Sequence, residues 1–132
     1  LGPGTTMAAL KDRLGGGTLL GVDIARGRRI IARDAGESQI LATLDEAPAA
    51  RIVLTVIGGQ GFLLGRGNQQ ISPAVIRRVG LAGIDVICAV GKLTALDELS
   101  VDTGDPGLDA DLAGYRQIRT GPGRRQVVRV AG

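Results

Sequence analysis

The 132-residue chain has no histidine and no tryptophan, and only one cysteine, one phenylalanine and one tyrosine. Each shortage removes a class of chemistry. Without histidine, the commonest general base and the commonest metal ligand are both missing. A lone cysteine cannot form a disulfide within the chain, and Cys88 sits in the apolar run 84–90, where a small buried hydrophobe is expected. Phe62 and Tyr115 alone cannot build the row of aromatic faces on which single-stranded nucleic acids stack, which disfavours that partner. The core has to be assembled from Val, Ile, Leu and Ala. No apolar run is long enough to span a membrane as a helix, and no leader-like segment opens the chain. A cytoplasmic location is expected, with neither membrane nor nucleic acid as partner. The chain does not begin with Met and opens inside a motif, so a piece of a longer protein is also expected.

Sixteen Lys and Arg against thirteen Asp and Glu leave a net charge of +3, with the two signs interspersed. That pattern describes a solvated surface rather than a nucleic-acid footprint.

Glycine, by contrast, is abundant, and it concentrates in one stretch. The β-branched run 51–57 leads into Gly58, Gly59 and Gly61, then Gly65 and Gly67. Glycines allow positive φ or close approach of a ligand. Gln60, Asn68, Gln69 and Gln70 add amides that donate and accept together, and Arg66 is the only charge inside. Ser72 and Pro73 then read as cap and first turn of a helix over 73–79. A polar amide cluster between a strand and a helix suits a polar or phosphorylated ligand. A glycine hairpin whose amides satisfy its own turns explains the same residues. No Lys-Ser/Thr follows the glycines, so this is not a Walker loop.

Elsewhere, Thr5 and Thr6 are candidate N-caps of a helix running to Leu14 with Met7, Leu10 and Leu14 inward. A strand is expected over 18–24, turning at Arg26-Gly27 into a second strand over 28–33. Residues 37–44 fit a short helix or a strand, followed by a loop over 45–50. A buried strand is expected over 84–90, then Lys92, read as an exposed lysine with a phosphate contact as the alternative, and a short strand over 99–102. Asp102, Asp105, Asp109 and Asp111 form an acidic patch that reads as helix capping ahead of Leu108 rather than as a metal site. A terminal hairpin is expected over 115–120 and 126–130 around Gly121-Pro122-Gly123, its arginines solvated or at a subunit contact. Apolar strand surface left to cover makes a homo-oligomer the expected state.

The stretch 57–73 resembles the core motif of the ATP-NAD kinase superfamily, in the branch grouped with the acetoin-catabolism X protein. The resemblance extends to Leu1-Gly2-Pro3-Gly4-Thr5-Thr6, Gly21-Val22-Asp23, Lys92-Leu93, residues 101–105 and residues 108–115. It implies a strand-rich fold with sandwich-like sheets, while the residues' own pattern, with a helix over 73–79 and a few other short helices, gives the class as α+β. Residues 1–17 would be the remnant of an N-terminal nucleotide-binding domain or linker, and 18–132 the C-terminal acceptor-binding domain.

In this family the N-terminal domain carries a Gly-Gly-Asp-Gly-Thr motif whose aspartate is thought to act as base. That motif is absent here, so no residue is assigned a catalytic role. The resemblance implies ATP and Mg²⁺ for a full-length member, with none needed by these residues alone. Its implied partners are the missing N-terminal domain and, as acceptor, NAD or a related nucleotide. Thr55 and Gly58 match the first part of the classical acceptor motif and Gly67 the second. Gln60, Gly61 and Phe62 fall where the classical Thr-Ala-Tyr contacts NAD. Because the tyrosine hydroxyl and the serine are gone, another hydroxyl-bearing acceptor fits the amides as well. The acceptor set is thus Thr55, Gly58, Gly59, Gln60, Gly61, Phe62, Gly67, Asn68 and Gln69. Thr5, Thr6, Asp23 and Arg66 stand as phosphate-facing or supporting residues, with a plain cap as the alternative for Thr5 and Thr6 and a surface carboxylate for Asp23. A non-catalytic ligand-sensing or oligomerisation module is the alternative function.

Overall fold

The computed structural model describes residues 1–47 and 49–132, so the part of the expected 45–50 loop at Pro48 lies outside the described residues. In chain order the elements are helix α1 (Thr5–Asp12), the hairpin β1 (Ile24–Arg26) and β2 (Arg29–Ala32), helix α2 (Glu37–Glu46), strands β3 (Ile52–Leu54) and β4 (Phe62–Leu64), and helix α3 (Pro73–Val79). Strand β5 (Ile84–Val86), helix α4 (Val90–Thr94), strand β6 (Leu99–Val101), helix α5 (Pro106–Leu112) and the hairpin β7 (Gly114–Gly121) and β8 (Arg124–Ala131) follow. The class is α+β, as the sequence implies.

Local chemistry sets the clearest boundaries. Ser72 Oγ accepts from the Val75 N–H at 3.3 Å, Pro73 takes the first turn, and Gly80, at φ 90°, stops α3. Asp105 caps α5 in the same way, accepting from the Leu108 N–H at 3.0 Å ahead of Pro106. That is the capping role expected of the acidic patch. Leu108 and Leu112, one turn apart, are the buried face of α5.

β3 pairs in parallel with β5, with Ile52, Val53 and Leu54 opposite Ile84, Asp85 and Val86. A four-stranded sheet runs β4-β6-β8-β7, parallel except for the terminal hairpin. Two single bridges join these sheets, Ile87 with Arg119 and Ile57 with Phe62. Following the pairings from β3 through β5, β7, β8, β6 and β4 back to Ile57 traces a closed circuit. Each of these strands sends aliphatic side chains into one apolar cluster, Leu54, Leu64, Leu99, Ile118 and Val130 among them. Each such side chain contributes about 1.5–3 kcal/mol by its removal from water. Cys88 is buried in the same cluster, and burial raises its thiol pKa. Among the described residues no helix is long and apolar enough to cross a membrane.

Several expectations are corrected. Residues 18–23 are not a strand, because their backbone wraps around the Asp23 carboxylate instead of pairing along a sheet. Thr5 and Thr6 do not cap α1. Gly4 holds the cap position at φ 114° with no side-chain hydrogen bond, and a Cβ there would meet Thr55 Cγ2 at 2.9 Å. Residues 37–46 settle as helix rather than strand. The buried strand is shorter than expected, ending at Val86; Ile87 and Cys88 still donate to Leu54 O and Arg119 O before the chain turns into α4 at Val90. The glycine stretch itself contains a strand, β4, which its composition conceals.

Candidate functional site

The turn over 58–61 is closed by the antiparallel bridge between Ile57 and Phe62, where the Ile57 N–H donates to Phe62 O at 2.8 Å. Its glycines divide into two groups. Gly61 and Gly65 have positive φ and lie hard against β6. A Cβ on Gly61 would stand 3.2 Å from Glu98 O, and one on Gly65 would overlap the Asp102 carbonyl. Their close approach is therefore to the chain's own backbone, reinforced by the Ser100 N–H donating to Gly61 O and the Asp102 N–H to Leu64 O. Gly58 and Gly59 are different. They are exposed, and the space a side chain would fill is open to beyond 4 Å.

The amides divide likewise. Asn68 is fully buried; its Nδ2 donates to Leu63 O at 2.8 Å and its Oδ1 accepts from the Gly65 N–H at 3.1 Å. Both ends of the amide brace the loop, which is the self-satisfying role the sequence left open. Gln60 and Gln69 are exposed and make no side-chain hydrogen bond among the described residues. Thr55 is buried beneath the turn against Gly4. Phe62 is half-buried, with the Arg66 guanidinium 4.6 Å above its ring and paired to Asp102 at 3.2 Å. Gly67 is exposed at φ 76°, its Cβ position facing Ile57.

One cation joins this group from a distance in sequence. Lys92 Nζ, on α4, donates to Val56 O at 2.9 Å, directly at the root of the turn. Only its position in a Lys-Leu pair after an apolar run hinted at it.

Asp23 is not a surface carboxylate. It is fully buried and paired with the equally buried Lys11 at 2.9 Å. Its oxygens also accept from the Thr18 N–H at 2.7 Å, the Thr18 hydroxyl, and the Asp34 N–H at 2.8 Å. Burial opposes its charge, but the hydrogen bonds from Lys11, Asp34 and Thr18 outweigh that and hold the carboxyl below the usual range. With its acceptors occupied, Asp23 organises the 17–34 region rather than facing a ligand. Lys11 escaped the sequence reading, although it stands one turn after Met7 on the inward face of α1. Thr5 is exposed and Thr6 half-buried at the start of that helix.

A cavity of about 580 Å³ lies between the β1–β2 hairpin, α2, α3 and β3, lined by Val22, Ile24, Ile40, Leu44, Ile52 and Val75 among others. The 58–68 loop does not line it. Among the described residues no three His, Cys, Asp or Glu side chains converge as a metal cluster.

The architecture is an α+β domain that displays a glycine turn, its tip open and its base tied to the sheet. The sequence profile of the ATP-NAD kinase C-terminal domain matches residues 1–130, and the chain belongs to that family. Comparison with curated proteins and with solved structures found no match.

Proposed function

We propose that this domain binds the acceptor of an ATP-dependent phosphotransferase, NAD or a related nucleotide, on the open face of the 58–61 turn. The observation carrying this reading is the division of labour within the loop. Asn68, Gly61 and Gly65 are committed to holding it, while Gly58, Gly59 and the Gln60 amide stand free in open space. A pre-formed tip with an uncommitted donor and acceptor is suited to ligand recognition, because little conformational freedom is lost on binding. Lys92 at the root of the turn adds positive charge for a phosphate. Phosphoryl transfer also needs a phosphate cradle, a metal site and a group to orient the hydroxyl. Those belong to the N-terminal domain that the family supplies, so these 132 residues alone turn over no NAD.

The test is titration calorimetry of the full-length protein with NAD and related dinucleotides, alongside thermal melts. Gln60→Ala and Gln69→Ala should each weaken binding about two- to twelvefold, the cost of one neutral hydrogen bond, with little change in melting temperature. Lys92→Met should weaken phosphorylated ligands more than nucleosides. Unchanged affinity for every dinucleotide in all three variants would overturn the assignment.

A further inference from the structure

Among the described residues one bridge, Ile87 with Arg119, joins the chain just past β5 to β7. Beside it lies a notch of about 220 Å³ lined by Asp85, Val86, Arg116, Gln117, Arg119 and Arg125. Three guanidinium groups face one carboxylate, and that carboxylate is already engaged. Arg51 grips both Asp85 oxygens from the β3 side, at 2.6 and 3.0 Å. Arg116 is half-buried, with a single bond to Ile84 O at 3.2 Å, and burial lowers its pKa despite the neighbouring Asp85. Arg125 reaches only the neutral Gln117 Oε1, at 3.2 Å. Arg119 has no side-chain hydrogen bond among the described residues.

The strand register makes the charge imbalance sharper. Arg119 lies directly opposite Arg125 in the β7–β8 ladder. Like charges in that position repel and weaken a hairpin. Asp85, already held by Arg51, is the one carboxylate lining the notch; Arg119 and Arg125 add to the pull that lowers its pKa, so a single negative charge is shared among several guanidinium groups. An anion seated between them would remove the repulsion and collect planar, two-pronged donors from several sides, the arrangement in which arginine recognises phosphate.

We infer that the notch between β5 and β7 is a binding site for a phosphoryl group, held by Arg116, Arg119 and Arg125. It shares no residue with the glycine turn and goes beyond the acceptor reading. The ligand is either free inorganic phosphate or the phosphate of a larger molecule.

The full-length protein is melted and titrated with inorganic phosphate, pyrophosphate and, at matched ionic strength, potassium chloride, which reports screening alone. The wild type should show a saturable rise in Tm with phosphate beyond that with chloride. Tighter binding of pyrophosphate would mark the diphosphate of a larger ligand, and equal binding a single phosphate. Arg119→Gln/Arg125→Gln should weaken the response about tenfold or more, as expected for loss of charge-assisted bonds. Without ligand its Tm should stay close to that of the wild type, because the repulsion that is relieved offsets the attraction to Asp85 that is lost. Arg28→Gln/Arg29→Gln, removing the same charge from exposed positions on the β1–β2 hairpin, should leave phosphate binding intact. Three results would each overturn the inference: a phosphate response no larger than that to chloride, binding that survives Arg119→Gln/Arg125→Gln, or an equal loss in both double variants.

Discussion

Replacing Lys11 by methionine should be among the most damaging single changes in this domain, although the swap is apolar and nearly isosteric. Lys11 Nζ donates to Asp23 at 2.9 Å, Thr18 O at 2.8 Å and Gly21 O at 3.1 Å, so all three ammonium hydrogens are used. Lys11→Met would leave two carbonyls without that donor and a fully buried carboxylate without its counter-charge. Breaking one side of a buried pair costs about 3–5 kcal/mol. Against a total of about 5–15 kcal/mol for a typical domain, that is about a fifth of the stability or more. A Tm loss on the order of 10–20 °C follows for a chain of this size.

Urea denaturation and thermal melts measure the loss. Asp23→Asn should cost a similar amount, and Lys11→Met/Asp23→Asn should cost clearly less than the two single changes added together, because neither partner is then stranded. The Asp23 carboxyl titrates below its unfolded value of about 3.9, so its contribution is present above that pH and is lost as pH falls through the folded value. The steep acid limb of stability should therefore flatten in the double variant. A Lys11→Met loss below about 1 kcal/mol, or strict additivity in the double variant, would refute the account of Lys11 and Asp23 as a coupled centre.

Gly65→Ala should destabilise by more than about 2 kcal/mol, because the new methyl overlaps the Asp102 backbone at a positive φ; a urea midpoint equal to wild type would count against the close approach of the loop to β6. Gly58→Ala, strained in φ but meeting only open space, should cost about 1–2 kcal/mol, less than Gly65→Ala by the same measurement. Asn68→Ala strips partners from Leu63 O and the Gly65 N–H and should cost roughly 2–4 kcal/mol, with any loss of dinucleotide affinity tracking the melt rather than preceding it. Tyr115 and Val127, 80% and 59% exposed on the terminal hairpin, should mediate self-association, so light scattering should give a mass above that of a monomer, reduced by Tyr115→Ser/Val127→Ser.

Elements specified by neighbours within a few residues were legible in the sequence. Ser72-Pro73 with Gly80, and Asp105-Pro106 ahead of Leu108, carry their helix starts in side chains that bond to N–H groups three positions on. The terminal hairpin turns at Pro122-Gly123 because Gly123 takes φ 67° there. The family itself was legible because the 57–73 segment has so many constrained positions. Tertiary structure decided what no short window contains. Lys11 reads as an ordinary polar helix residue until Asp23, twelve positions away, folds over it with the Thr18 and Gly21 carbonyls. Asn68 reads as a ligand amide until Gly65 is pressed against Asp102 and the loop needs an internal brace. The apolar run after Ile84 reads as one long strand, yet its pairing passes from β3 to Arg119, in a hairpin more than thirty residues on, and stops at Cys88 before α4 begins at Val90. Burial and pairing depend on which distant segments meet, and that is a property of the folded chain rather than of any stretch within it.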